Sequence, residues 1–162
     1  MDSQTAQDLY DLIIIGAGPA GISAAIYAVR KNLKVLLVSK NIGGQAALSG
    51  DVENLLGYSL ITGAELAVKF RQEIERFNSH GLTIKEGEEV IGLNGTDQNF
   101  IVKTENHQYH GRTVIIASGR VPRMLNIPGE KEFLGKGVAS CATCDGPLFK
   151  GKDVVVVGGG NS

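Results

Sequence analysis

The chain has no tryptophan and only two cysteines, and neither sign of charge dominates it. Both cysteines lie in one short motif, Cys141-Ala142-Thr143-Cys144-Asp145, so none is left to staple the fold. A disulfide-framed secreted scaffold is thereby excluded, and a reducing compartment, the cytoplasm, is expected. Sixteen basic residues stand against seventeen acidic ones, a formal charge of −1, with no basic stripe. That removes the electrostatic footprint of a nucleic-acid binder. The longest apolar runs, Leu12–Ile15 and Val154–Val157, are far too short to cross a bilayer, so no membrane partner is expected. Met1 to Gln7 is polar and lacks the basic-then-apolar order of a signal peptide. No serine–histidine–acid set and no paired carboxylates stand out. There is no repeat beyond a strand-and-glycine echo at the two ends.

What is present is glycine, 22 residues of it, in a chain that is 43% hydrophobic, which suits a loop-rich α/β protein. Tyr10–Ile15 is apolar without alternation, as buried parallel strands are, and it runs into Gly16-Ala17-Gly18-Pro19-Ala20-Gly21. A helix from about Ala20 to Arg30 and a second buried strand over Lys34–Val38 complete a βαβ unit. Asn41–Leu60 lacks periodicity and reads as a binding loop. Gly63–Ser79 is an amphipathic helix, with Leu66, Phe70, Ile74 and Phe77 on one face and Gly81 as its stop. Short alternating runs follow: Leu82–Lys85, Glu88–Leu93, Asn99–Lys103, Gln108–His110 and Thr113–Ala117, with a turn expected at Asn94-Gly95. A linker with Pro122, Pro128 and Gly129 suggests a boundary between lobes. Asp153–Val157 then reads as another strand entering Gly158-Gly159-Gly160.

Gly16-x-Gly18-x-x-Gly21 has a strand before it and a helix after it. In a dinucleotide fingerprint the first glycine permits the tight turn. The second lets the backbone approach a pyrophosphate, and the third lets helix and strand pack closely. A glycine turn that binds nothing is the alternative. The end of the second strand reads Val38-Ser39-Lys40 where an acid would hold a ribose hydroxyl, so ribose binding must use another group. Gly43-Gly44-Gln45, with Glu53-Asn54 beyond, offers backbone N–H groups and amides to a ring or phosphate, but an ordinary loop explains it as well. Gly158-x-Gly160 is half of a second fingerprint, and a simple strand-to-turn junction is the alternative. Such a unit takes about 30 residues; the sequence stops at Ser162, so a piece of a longer chain is expected.

The cysteine pair has two readings. Two thiols at a helix start can close into a disulfide and reopen. A helix N-terminus favours thiolate at the second sulfur, and Asp145 is placed to pass a proton to or from a departing sulfur. Equally, C-x-x-C is half of a zinc site, for which His107 and His110 have ligand-like spacing. Alternation puts those histidines on opposite strand faces, where solvent-facing hairpin residues are the plainer reading.

Taken in order, Asp11–Gly21, Gly43-Gly44-Gln45, Val52-Glu53-Asn54, Ala117-Ser118-Gly119, Cys141–Gly146 and Val154–Ser162 resemble low-molecular-weight thioredoxin reductases. The flavoprotein subunit of alkyl hydroperoxide reductase is nearly as similar. The match runs from Tyr10 to the end, over about the N-terminal half of a family member; Ser118 stands where threonine is usual. The resemblance implies a doubly wound α/β fold. Residues 1–119 would be the first segment of an FAD-binding Rossmann-like domain with a small antiparallel sheet. Residues 120–162 would begin a second, NAD(P)H-binding one. It implies FAD held by Gly16, Gly18, Pro19, Ala20, Gly21, Ser39, Lys40, Gly43, Gly44, Gln45, Asn54, Val90, Ala117, Ser118 and Gly119. Gly158, Gly160 and Asn161 would serve the nicotinamide dinucleotide, NADPH being favoured. It further implies a relay from NAD(P)H through FAD to the Cys141–Cys144 disulfide, and on to thioredoxin, a similar small disulfide protein or a peroxidase. Cys144 would face the flavin, Cys141 would attack the partner, and Asp145 would move the proton. A homodimer is expected, and weak or no turnover from this segment alone. Two other readings stay open: a flavin-binding module with a non-nicotinamide donor or a regulatory role, and a zinc-stabilised binding module.

Overall fold

Four apolar residues in a row, Leu12–Ile15, cannot alternate between core and solvent, so a strand containing them needs cover on both faces. The computed structural model describes residues 9–159, apart from the side chains of Thr143 and Cys144. Its elements run β1 (Leu9–Ala17), α1 (Pro19–Val29), β2 (Val35–Ile42), β3 (Asp51–Val52), β4 (Ile61–Thr62) and α2 (Gly63–Glu75). Then come β5 (Leu82–Glu86), β6 (Val90–Thr96), β7 (Asn99–Thr104), β8 (Gln108–Ile116), α3 (Glu130–Phe133) and α4 (Ala142–Asp145). The chain divides between Arg120 and Val121 into two compact units.

In the first unit the sheet order is β5-β2-β1-β8-β7-β6. The first four strands are parallel, and β8, β7 and β6 are antiparallel neighbours. Alternation within β1 feeds two cores. Leu12 and Ile14 join Val35, Leu37, Ile22, Ala25, Val29 and Ile74, the last four from the two long helices. Ile13 joins Tyr10, Leu36, Val38 and Val102, with Val90, Tyr109 and Val114 packed against them. Strands of the antiparallel part thus cover the face that the helices leave.

The βαβ unit forms as its pattern dictates. Helix α2 stops at Glu75 rather than Ser79, and a 3-10 turn over Asn78–His80 completes the descent to Gly81. Its start is fixed by a reciprocal cap: Thr62 Oγ1 accepts the Glu65 N–H at 3.2 Å, and the Glu65 carboxylate accepts the Thr62 N–H at 2.9 Å. The Thr62 N–H foremost, and then the Thr62 hydroxyl, which donates to the same carboxylate at 2.8 Å, hold the Glu65 carboxyl below its ordinary pKa. Thr62→Ala is expected to cost about 1 kcal/mol, read as a lower urea midpoint with unchanged slope.

Two expectations fail. The turn does not fall at Asn94-Gly95, which lies inside β6 opposite Ile101 and Phe100. Asp97 and Gln98 make it instead, both with positive φ (51° and 65°), the geometry of the hairpin turn whose twist matches the flanking strands. Gln108–His110 and Thr113–Ala117 also fuse into the single strand β8. The second failure is Asp153–Val157, which forms no strand among the described residues; Val155 is 91% exposed. A strand has no internal hydrogen bonds, so valine propensity alone cannot hold one without a paired neighbour. No described helix is long and apolar enough to cross a membrane.

Candidate functional site

The turn from β1 into α1 is built by backbone contacts that exclude side chains. Gly16 has φ 102°, and a Cβ there would collide with the Ala117 carbonyl oxygen. A Cβ on Gly21 would collide with the Gly16 carbonyl oxygen. Gly18, between them, faces open space, with nothing within 4 Å of a built Cβ. Gly18 also starts α1 without a capping side chain, and Pro19 follows at the first helical position, where it has no N–H to lose. The remaining first-turn N–H groups have no intrahelical acceptor and lie at the positive end of the helix, the ordinary setting for a phosphate.

Neighbouring segments close round this turn. The Ala117 N–H donates to the Ile15 carbonyl at 2.8 Å, and the Gly43 N–H to the Ala17 carbonyl at 2.8 Å. A Cβ on Gly44 would stand 3.2 Å from the Gly18 Cα, so the Gly43–Gln45 loop lies directly over the glycine turn. Among the residues expected from sequence, Gly16, Gly18, Pro19, Ala20, Gly21, Gly43, Gly44 and Ala117 are therefore gathered at the carboxyl ends of β1 and β8. Gln45 opens the exposed side of a 3-10 turn, and Ser118 and Gly119 follow Ala117 in exposed positions. In this sheet β1 has β2 on one side and β8 on the other, which makes its carboxyl end the switch point where open α/β sheets bind ligands.

The end of β2 is held by the segment that leads out of β5. The Ser39 hydroxyl donates to the Asn41 carbonyl at 2.8 Å, and Lys40 Nζ lies 3.0 Å from Glu89. The Glu88 N–H donates to the Ser39 carbonyl at 3.3 Å. Glu86 accepts the Ile42 N–H at 3.3 Å and both oxygens take the Arg71 guanidinium, at 2.7 and 2.8 Å, which raises the Arg71 pKa. Val90 packs towards the core with Leu36 and Val38. Asn54 stands exposed.

Sequence reasoning missed Glu88. Its side chain, 14% exposed, accepts Tyr109 Oη at 2.8 Å and Thr104 Oγ1 at 2.9 Å, and lies 3.3 Å from His107 Nδ1. His107 therefore faces a carboxylate, while His110 Nε2 is buried without a hydrogen-bond partner. No cluster of three or more histidine, cysteine or carboxylate side chains suited to a metal occurs among the described residues. Burial pushes the Glu88 pKa up, but the Tyr109 and Thr104 hydroxyls and His107 outweigh it and hold the carboxyl below its ordinary pKa. Burial, then the same carboxylate, raises the Tyr109 phenol well above its ordinary value. A carboxyl with a depressed folded pKa stabilises above its unfolded pKa and loses that stability as pH falls through the folded one. Glu88→Gln is accordingly expected to flatten the stability loss below about pH 4.5, measured by urea titrations at stepped pH.

In the second unit, Cys141 is disulfide-bonded, and the chain's one other cysteine is Cys144. The Asp145 N–H donates to the Cys141 carbonyl at 2.9 Å. The helix expected to polarise the second sulfur is a single turn, α4, followed by a 3-10 turn over Gly146–Phe149. Its dipole is correspondingly small. Upstream, buried Glu130 accepts the N–H groups of Leu125 and Asn126 at 2.8 and 2.6 Å, tying down the proline-containing linker. Gly158 is exposed with φ 96°. The Cys144 side chain, Gly160 and Asn161 lie outside the described residues.

Residues 10–162 match the family model for pyridine nucleotide-disulphide oxidoreductase. Among curated proteins, the chain is 45% identical over 157 residues to the thioredoxin reductase of Bacillus subtilis, covering 96% of itself and 48% of that protein. To an alkyl hydroperoxide reductase subunit of Staphylococcus aureus it is 43% identical over 154 residues, covering 94% and 30%. Among solved structures, the thioredoxin reductase of Streptococcus pyogenes superposes with a TM-score of 0.74 at 40% identity, covering 89% of this chain and 46% of that one. The chain thus spans about half the length, or less, of the curated relatives it matches.

Proposed function

The chain belongs to the pyridine nucleotide-disulphide oxidoreductase family, and on that basis we propose that it is the FAD-binding, dithiol-bearing part of a thioredoxin-reductase-like enzyme. Electrons would pass from NAD(P)H, with NADPH favoured, through FAD to Cys141 and Cys144, and then to the disulfide of thioredoxin or a peroxidase. The observation that carries this reading is the disulfide-bonded Cys141 in a chain whose β1–α1 turn has open space at Gly18. Backbone N–H groups at the start of α1 would take the pyrophosphate. The Gly43–Gln45 loop, with Asn54, would meet the ring system, and Ser39, Lys40 and Val90 the adenosine end. Ala117, Ser118 and Gly119 would close the other side, and Gly158, Gly160 and Asn161 would serve the nicotinamide dinucleotide. Bound there, FAD supplies the two-electron step between a hydride donor and a disulfide that no side chain can perform.

The chain's own residues do the thiol chemistry. As a thiolate, Cys141 attacks one sulfur of the partner disulfide, and the partner's other sulfur leaves and takes a proton. Cys144 then attacks Cys141 in the mixed disulfide, releasing the partner as a dithiol and restoring the Cys141–Cys144 bond. Asp145 is the proton donor or acceptor in the exchange. A cytoplasmic homodimer completes the proposal, consistent with a chain whose cysteines are both committed to one redox motif.

The test is to release the chromophore from purified protein by heat and identify it chromatographically. Stoichiometric FAD is expected; FMN, or no flavin after incubation with FAD, contradicts the reading.

A further inference from the structure

We propose that Glu88 is a positioning residue for the adenosine end of the dinucleotide: anchored by Tyr109, Thr104 and His107, it holds residues 86–90 against the end of β2. The proposal rests on the FAD-binding reading above and adds residues to it that lie away from every glycine motif.

In a doubly wound sheet the adenosine ribose lies at the end of the strand after the fingerprint helix, where an acid usually receives it. Here that strand ends in Ser39-Lys40, and the Ser39 hydroxyl is bonded to the Asn41 carbonyl. The end of β2 therefore has no acid of its own, and its shape depends on what borders it. Three successive contacts border it from one segment: Glu86 on the Ile42 N–H, the Glu88 N–H on the Ser39 carbonyl, and Glu89 on Lys40. Of the outer two contacts, the Lys40–Glu89 pair is exposed and gives little rigidity, while the part-buried Glu86 contact shares its carboxylate with Arg71 on α2. The middle one is different, because the Glu88 side chain is sunk among three donors from β7, β8 and the turn between them. Thr104, itself buried, also accepts the His107 N–H at 3.1 Å, so the donors are fixed relative to each other. Charge-assisted bonds to a largely buried carboxylate are stronger than neutral ones, and removing one partner strands the rest. The network thus ties a surface segment to the antiparallel strands and presents its backbone, with Val90 next in line, to the adenosine position.

The experiment compares wild type, Glu88→Ala, Tyr109→Phe and a control, Ile74→Val, which trims the other core and touches none of these groups. Amide hydrogen exchange is read without flavin, and FAD affinity by quenching of flavin fluorescence. Glu88→Ala is expected to speed exchange across residues 86–90 and at Ile42 about tenfold while Val35–Val38 stay protected, and to raise the FAD Kd about tenfold. Tyr109→Phe should move both readouts in the same direction by less, and Ile74→Val neither. Unchanged exchange at 86–90 overturns the positioning role. Faster exchange with unchanged FAD affinity overturns the link to the ligand, as does an equal loss of affinity in Ile74→Val. A wild-type chain that binds no FAD overturns the proposal together with the flavin reading, and is told apart because exchange still reports on the network.

Discussion

Replacing Cys144 by serine is expected to bring partner-disulfide reduction down to background in the flavin-loaded holoenzyme while the flavin stays bound. A serine hydroxyl is not ionised near neutral pH and cannot form the disulfide that carries the electron pair, so no second route remains through this chain. Cys141→Ser should lose turnover equally, for a different reason: it removes the sulfur that would attack the partner in the proposed relay. The two variants separate in how they treat an oxidised partner. Cys144→Ser keeps Cys141 as nucleophile without a resolving thiol, so it should trap the partner in a stable mixed disulfide, visible on non-reducing gels. Cys141→Ser should trap nothing. Turnover by either variant above background contradicts the dithiol relay, and trapping by Cys141→Ser but not Cys144→Ser would reverse the assigned roles.

The glycine turn yields the second large effect, and its two substitutions should part company. Gly21→Ala sets a methyl against the Gly16 carbonyl, a backbone atom that no rotamer change can move. A cost of about 3 kcal/mol is expected, with a lower urea midpoint and loss of flavin. Gly18→Ala puts the same methyl into open space. Its cost to folding should stay under about 1 kcal/mol, the scale of a helix-start substitution. FAD affinity should nevertheless fall about tenfold or more, equivalent to about 1.4 kcal/mol, because that space is where a pyrophosphate would lie. If Gly18→Ala binds FAD as wild type does, the cradle is a packing feature only. If it unfolds the protein, the space about Gly18 is not free.

The parallel half of this fold could be read from the chain because its signals are local. Tyr10–Ile15 and Lys34–Val38 are continuous apolar runs, and the spacing of Gly16, Gly18 and Gly21 marks the turn between strand and helix. Where a second segment decides the outcome, the sequence was silent or misleading. Gly43-Gly44-Gln45 carries little weight as a string, and only the approach of Gly44 to Gly18 brings it to the candidate site. Asn94-Gly95 is a strong hairpin signal, but pairing with Phe100 and Ile101 carries β6 past it and leaves the turn to Asp97-Gln98. Val154–Val157 has strand composition and no described partner. The Glu88 network was invisible for the same reason: its members lie 16 and 21 residues apart, and no motif links them. The Cys141–Asp145 motif reads as redox chemistry from its spacing, but the single turn of α4 weakens the helix-dipole argument for its thiolate.

The central claim is that a flavin and the Cys141–Cys144 pair serve one reaction. Its most direct test is the visible spectrum of the purified, FAD-loaded protein before and after dithiothreitol. The account predicts a yellow flavin band that gains a long-wavelength shoulder on reduction, absent in Cys144→Ser, as a thiolate comes against the isoalloxazine. A flavin band that dithiothreitol leaves without that shoulder would contradict it, separating the cysteines from the flavin.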